Sequence, residues 1–250
     1  MAIPLKTEYE INSMRRGGKI LAEVLESVLS YAKAGVSTYE LDRLAENLIL
    51  AANAKPGFKG YKGYPATLCT SINDIIVHGI PKEDEILKEG DLLKIDCGVI
   101  MNDMYTDAAR AKGIGPISPE KEKLIRTAEI ALEEAINLAK PGTHLNKIGE
   151  KIQEIVEKAG FHIIRDLTGH GVGKNLHEDP IVTNFWEGIP GPVLREGMTL
   201  AIEPIFSVGT SEMKTLSDGW TIVTVDGSNA IQVENTILIT RNGTEVLTKV

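Results

Sequence analysis

Two stretches of the chain run through nearly the same pattern and finish on a carboxylate. One is Leu87-Lys88-Glu89-Gly90-Asp91-Leu92-Leu93-Lys94-Ile95-Asp96, the other Leu194-Arg195-Glu196-Gly197-Met198-Thr199-Leu200-Ala201-Ile202-Glu203. Their final acids lie 107 positions apart, and the same offset relates Lys33-Ala34-Gly35 to Lys140-Pro141-Gly142 and Leu41 to Ile148. A fixed offset across separate landmarks marks an internal duplication. Each half supplies a further acid, Asp107 and Glu234. An unpaired carboxylate is expensive to bury, so acids ending apolar strand-like runs need a partner or a metal. A lone Asp on a strand is more often a surface or turn residue, as Asp103 is read here. Four acids together favour a shared cation site.

Strand parity supports that grouping. Leu92 to Lys112 reads as a hairpin, and side chains along a strand alternate between faces. With Met101-Asn102 as a two-residue loop, Asp96 lies directly opposite Asp107. With Asn102-Asp103, the two are diagonal. Either register puts both on one face, about 4.5–8 Å apart between Cβ atoms. Like charges so placed are destabilising unless a cation sits between them.

Imidazole completes the donor set. Of five histidines, His78 precedes Gly79-Ile80-Pro81, His170 sits in Gly169-His170-Gly171-Val172-Gly173, and His177 precedes Glu178-Asp179-Pro180. The glycines around His170, read as a turn, let the backbone approach another group closely. His144 and His162 receive no role, and Glu178 and Asp179 read as turn residues. Four carboxylates and one imidazole make a hard, oxygen-rich set with room for two divalent ions, suited to Mn, Fe(II), Co or Zn. Paired Cys or His of a structural zinc site are missing. Neither Cys69 nor Cys97 lies in a nucleophile motif, and Gly171-Val172-Gly173-Lys174-Asn175 lacks the spacing of a phosphate loop.

The elements that must hold these residues repeat between the halves. Helical periodicity runs from Glu8 to Lys33 and, after Ser37 and Thr38, through Leu41 to Ile49. Gly57 to Tyr64 reads as a loop. Strands are expected near 67–72 and 75–78, then the hairpin. The second half has helices near 119–140 and 145–159 and strands from Phe161 onward, near 199–208, 219–225 and 230–240. The class is α+β: one domain over 1–250, of two pseudo-repeats at about 8–112 and 119–240. Composition is that of an ordinary globular chain, with 42% hydrophobic and 25% charged residues over 250 positions. The net charge of −8, with basic residues scattered, argues against nucleic acid as a partner. No run is apolar enough to cross a bilayer, and two cysteines without an export signal point to a reducing cytoplasm.

The motifs Tyr61-Lys62-Gly63-Tyr64-Pro65, Ser71-Ile72-Asn73-Asp74, Val77-His78-Gly79-Ile80-Pro81 and Gly169-His170-Gly171-Val172-Gly173 resemble those of methionine aminopeptidases. So do Leu176-His177-Glu178-Asp179-Pro180, Ile202-Glu203-Pro204, Asp218-Gly219-Trp220-Thr221 and Gln232-Val233-Glu234-Asn235-Thr236. The likeness covers essentially the whole chain, in the family's order. It implies the duplicated pita-bread fold, antiparallel sheet with flanking helices, and a hydrolase that removes the initiator methionine from nascent chains when the second residue is small. It implies five metal ligands: Asp107 and Glu234 bridging two ions, Asp96 completing one, His170 and Glu203 the other. Glu203 would also move a proton, His78 and His177 would hold the peptide, and Tyr61, Tyr64, Cys69 and Trp220 would form the methionine pocket. The 26 positions from His177 to Glu203 leave no room for the helical insert of the type II enzymes, and no zinc-binding extension is expected before the catalytic unit, so the short bacterial type I form is expected. Leu176 stands where many relatives carry an aromatic, and Phe58 where a small residue is expected. A monomer with transient ribosome contact is expected. The alternatives are a proline-type aminopeptidase or prolidase of the same fold, which generally carries an added N-terminal domain, and an inactive binding protein, which would have lost ligands. A purely structural acidic protein accounts for neither the repeat nor the histidines.

Overall fold

A computed structural model describes residues 3–249. Thr7 opens α1 (Glu8–Tyr31) with a reciprocal capping box to Glu10, and Ser37 opens α2 (Thr38–Ala51) in the same way with Glu40. The strands of the first half are β1 (Lys55–Pro56), β2 (Leu68–Ile72), β3 (Ile75–Val77), β4 (Leu92–Met101) and β5 (Met104–Gly113). Ser118 caps α3 (Pro119–Leu138), with proline at the first helical position where its missing N–H costs nothing. Then come α4 (Asn146–Lys158), β6 (His162–Ile163), β7 (Gly169–Gly171), β8 (Glu178–Val182), β9 (Thr199–Ile202) and β10 (Ile205–Ser207). The chain ends through β11 (Met213–Thr215), β12 (Ile222–Thr224), β13 (Ala230–Gln232), β14 (Asn235–Thr240) and β15 (Gly243–Val246).

The helices end within two residues of their expected bounds. β1, β11 and β15 were not expected, and the Gly-rich segment at His170 is a strand rather than a turn. The hairpin takes the second of the two registers: Asn102 and Asp103 form its loop, both at positive φ (51° and 60°), as a type I′ turn demands.

β4 is the spine of one sheet, flanked by β5, β2 and β1. β15, β14, β9, β7 and β8 form the other large sheet in that order. The two are stitched where Ala109 of β5 and Glu234 exchange backbone hydrogen bonds of 3.3 and 2.9 Å. Two short three-stranded sheets, β13-β10-β6 and β11-β12-β3, close the rim. Helices pack on one side only. α1 and α2 bury Leu21, Leu25, Leu41 and Ile49 against Leu93, Ile95, Cys97 and Val99, while α3 and α4 bury Leu124, Ala128, Ile148 and Ile152 against Leu200, Ile202 and Ile237. The opposite side of the sheets is left for polar chemistry.

The offset of 107 recurs in three dimensions. Gly35 N–H donates to Leu87 O and Leu87 N–H to Val36 O; Gly142 N–H donates to Leu194 O and Leu194 N–H to Thr143 O. The isolated bridges Ser37–Ile86 and His144–Val193 obey the same shift. Gly35 and Gly142 share φ values of 91° and 90°, left-handed conformations that glycine adopts without steric cost.

Candidate metal centre and substrate cleft

Alternation along the strands aims the acids. Since Leu93, Ile95, Cys97 and Val99 enter the helix-packed core, Asp96 projects from the other face of β4. Asp107 shares that face on the diagonal: its register partner is Gly98, and that of Asp96 is Ala109. Leu200 and Ile202 of β9 likewise enter the core, leaving Glu203 to the opposite side. Glu234 arrives through its pairing with Ala109, two residues from Asp107. His170 lies in β7, paired with Ala201. A Cβ on Gly169 would sit 2.4 Å from Ala201 O, and one on Gly171 2.2 Å from Asp179 O. The glycines serve the close approach expected of them, but between strands.

All five side chains are buried and converge. Nε2 of His170 is 3.7 Å from Glu203 Oε1 and 3.9 Å from Asp107 Oδ2. One donor atom each from Asp107, His170 and Glu234 falls within 4.8 Å of the others. Nδ1 of His170 lies 2.9 Å from Gly171 O, a contact that needs its proton there and leaves the Nε2 lone pair facing the acids. Gln232 Nε2 donates to Glu203 Oε2 at 3.1 Å and to Asp96 Oδ2 at 3.4 Å.

Burial raises every one of the four carboxyls. Asp96 is pushed up to about 7 by desolvation, held partly in check by Gln232. Asp107, Glu203 and Glu234 are pushed well above the carboxylate range, first by burial and then by one another. His170 is pushed down to about 3 by burial and His177, so its imidazole is neutral. Asp96 Oδ1, Asp107 Oδ1 and Glu234 Oε1 are buried without a hydrogen-bond partner among the described residues. Orphaned carboxylate oxygens beside a neutral imidazole lone pair are the donor set of a hard-to-borderline divalent cation. These residues fit such an ion.

The acids lie in a cavity of about 340 Å³, within the range of small-ligand sites. All eleven residues singled out in the sequence line it: Asp96, Asp107, His170, Glu203, Glu234, His78, His177, Tyr61, Tyr64, Cys69 and Trp220. Phe58 and Leu176 line it too. Cys69 of β2 pairs in register with Asp96, which joins this part of the cavity wall to the strand that carries the acid. Trp220 meets Tyr64 edge-on, centroids 5.1 Å apart, and stands 6.3 Å from the His78 ring. His78 follows β3 at a positive φ of 59°; burial, and then His177, lower it to about 4. His177 is also lowered, by burial and then Lys62, and its Nδ1 lies 2.8 Å from Tyr61 Oη. Both imidazoles are thus neutral near pH 7 and can each offer one N–H and one lone pair.

Two contributors escaped the sequence reading. Gln232 is one of only two glutamines and lies two positions before Glu234, a spacing that could have flagged it. Asp218 accepts from the backbone N–H of Trp220 (2.9 Å) and Thr221 (2.8 Å), fixing the turn that presents the indole. Glu178 and Asp179 are corrected: neither is a turn residue, since both lie in β8, and the Glu178 carboxylate is buried against Lys6.

Buried acids and an imidazole at the floor of a cleft, on the open side of a two-part sheet, define a metal-binding protein with a ligand-sized cavity. Residues 12–241 match the model of metallopeptidase family M24. The methionine aminopeptidase of Clostridium acetobutylicum is 48% identical over 98% of both chains, and that of Escherichia coli 41% over 99% of this chain and 94% of its own. The crystal structure of the Thermotoga maritima methionine aminopeptidase superposes with a TM-score of 0.97 at 43% identity, covering both chains fully. A prolidase from Pyrococcus furiosus shares the fold with a TM-score of 0.81 at 25% identity, over 98% of this chain and 65% of that one. The chain belongs to metallopeptidase family M24 and, within it, to the methionine aminopeptidases of the short bacterial form. The pita-bread fold follows with that membership.

Proposed function

We propose that this chain is a dinuclear aminopeptidase that removes the initiator methionine from nascent proteins whose second residue is small. The observation that carries the reading is the convergence of four buried acids and a tautomer-fixed imidazole on a cavity edged by Tyr61, Tyr64 and Trp220. The likeness to methionine aminopeptidases at 41–48% identity supports it over the Xaa-Pro-cleaving alternative.

Asp107 and Glu234 would bridge two ions, with Asp96 on one and His170 and Glu203 on the other. Co, Mn, Fe(II) and Zn all suit this donor set, and cellular supply decides among them. Bound divalent ions supply Lewis acidity and a lowered water pKa. Glu203 would carry the proton toward the leaving amine. The neutral imidazoles of His78 and His177 would hold the scissile link and donate to the oxygen on which charge develops, an effect worth about 2.7–4 kcal/mol per donor. The methionine side chain, flexible and with a polarizable sulfur, would lie against Tyr61, Tyr64, Cys69 and Trp220. The catalytic unit is read as one domain of two pseudo-repeats, acting as a cytoplasmic monomer on chains emerging from the ribosome. No described helix is long and apolar enough to cross a membrane.

A peptide panel with metal analysis tests the reading. Met-Ala and Met-Gly should be cleaved quickly, Met-Lys and Met-Phe poorly, Leu-Ala little, and Asp107→Ala should lose both metal equivalents. Preference for Xaa-Pro peptides regardless of the first residue, or two ions retained in Asp107→Ala, would overturn it.

A further inference from the structure

His177 stands in the cleft on the segment between β7 and β8, which is irregular from Val172 to His177. A side chain in so short a loop needs something rigid behind it if it is to meet a substrate in one orientation. That support comes from the far end of the chain. Lys6 lies just ahead of the α1 cap, its backbone N–H donating to Gly197 O at 2.8 Å. Its side chain runs inward over Gly173, where an added Cβ would fall 2.3 Å from Lys6 Cε and 3.0 Å from Glu178 Oε2. The ammonium ends 2.6 Å from Glu178 Oε2, and the two side chains are only 4% and 7% exposed.

Glu178 immediately follows His177 and uses both oxygens: Oε2 for Lys6, Oε1 for the backbone N–H of Asn175 at 3.0 Å. Gly173 O accepts from Tyr105 N–H at 2.7 Å, tying the near end of the loop to β5. The loop is therefore clamped at both ends, and His177 is held between the Glu178 anchor and the Tyr61 hydroxyl. A buried, hydrogen-bonded ion pair adds little to stability over an apolar pair of the same shape, and its attested use is to fix one arrangement. From the geometry we infer that the buried Lys6–Glu178 pair is a positioning device for His177, by which the N-terminal segment sets the orientation of an imidazole in the cleft.

This rests on the proposed role of His177, and the experiment separates the two. Lys6→Met keeps the length of the side chain and removes the charge. In metal-loaded enzyme, it should lower kcat on Met-Ala about tenfold with metal content unchanged and KM within twofold. In a His177→Ala background, the same change should cost less than twofold, because the group it positions is gone. The ring resonances of His177, a single set in the parent, should broaden or double in Lys6→Met. A purely structural role would lower the melting temperature and cut turnover equally in both backgrounds, leaving the ring signals unchanged. If Lys6→Met does not fold, Lys6→Met/Glu178→Gln, which leaves no uncompensated buried charge, carries the same measurements and the same expectations. Parental kcat and ring signals in whichever variant folds would overturn the inference. Parental turnover in His177→Ala alone would remove the catalytic role of His177, and the ring signals would still decide whether the pair positions it.

Discussion

The proposed metal site can be tested through the stability of the fold. Consider Asp96 in protein stripped of metal by a chelator. Burial raises its carboxyl from an ordinary 3.8 to about 7. The native state therefore binds more protons than the unfolded chain between those values, so stability is intact below about pH 4 and falls as pH rises toward 7. The whole displacement corresponds to about 4 kcal/mol, or roughly 10 °C in melting temperature for a domain of this size. Asp96→Asn keeps the shape and removes the charge. Without metal it should melt above the parent at pH 7, and the gap should close near pH 4. Adding Mn or Co should invert the ranking. The parent gains stability by mass action, about 2.7 kcal/mol when free metal is a hundredfold above Kd, and the variant, short of a ligand, gains less. Calorimetric scans of both proteins from pH 4 to 7.5, with chelator and then with metal, read all of this. A metal-free Asp96→Asn that melts below the parent at pH 7, or that gains as much from metal, would refute the reasoning.

Gln232 spans Asp96 and Glu203, so Gln232→Leu should weaken metal binding about 10–100-fold, the usual cost of losing a group that orients ligands; calorimetric titration with Mn showing unchanged affinity would exclude this role. Asp218 holds the turn that presents Trp220, and Asp218→Ala should raise KM for Met-Ala about tenfold more than it lowers kcat, with metal content intact. Glu10 is lowered to about 2 by Lys174 and the Thr7 cap, so its stabilisation is present above pH 4.5 and fades as pH falls toward 2. Its lysine partner is well exposed, so solvent screens the ion pair, and a small melting deficit of Glu10→Gln should shrink between pH 5 and 3. A deficit constant with pH would show that Glu10 acts by helix propensity alone.

How much was legible depended on the range of the interaction behind each signal. The shared face of Asp96 and Asp107 follows from strand parity, which no two-residue loop can undo. Choosing between the two registers needed the backbone: Asn102 and Asp103 both accept positive φ, and the loop settles on them. Glycines around His170 read locally as a turn, yet they exist because β7 lies against Ala201 O and Asp179 O, residues the sequence does not set beside it. Glu178 shows the same limit. Nothing within several residues announces a buried carboxylate, because its partner is Lys6, 172 positions away. The pocket residues were found by resemblance rather than by local pattern, since Tyr61, Cys69, His177 and Trp220 meet only when both halves close.

The two departures in the pocket, Phe58 and Leu176, are connected. Gly98 lies on the same face of β4 as Asp96 and carries no side chain, leaving bare strand beside the acid cluster. Gly57 N–H donates to Gly98 O at 2.7 Å, and a Cβ on either glycine would come within 2.8 Å of an atom of the other's neighbourhood: Gly98 C for residue 57, the Phe58 ring for residue 98. This close approach seats the Phe58 ring over the bare strand. Leu176 belongs to the same packed cluster, with Phe58, Tyr64, Ala66 and Cys69, and is 3% exposed. That part of the cavity wall is therefore closely packed. Packing at interior density leaves little spare volume, so an aromatic at 58 and an aliphatic at 176 divide one space between them. The shape of the cavity beside Asp96 in this chain is set by that pair together with Gly98.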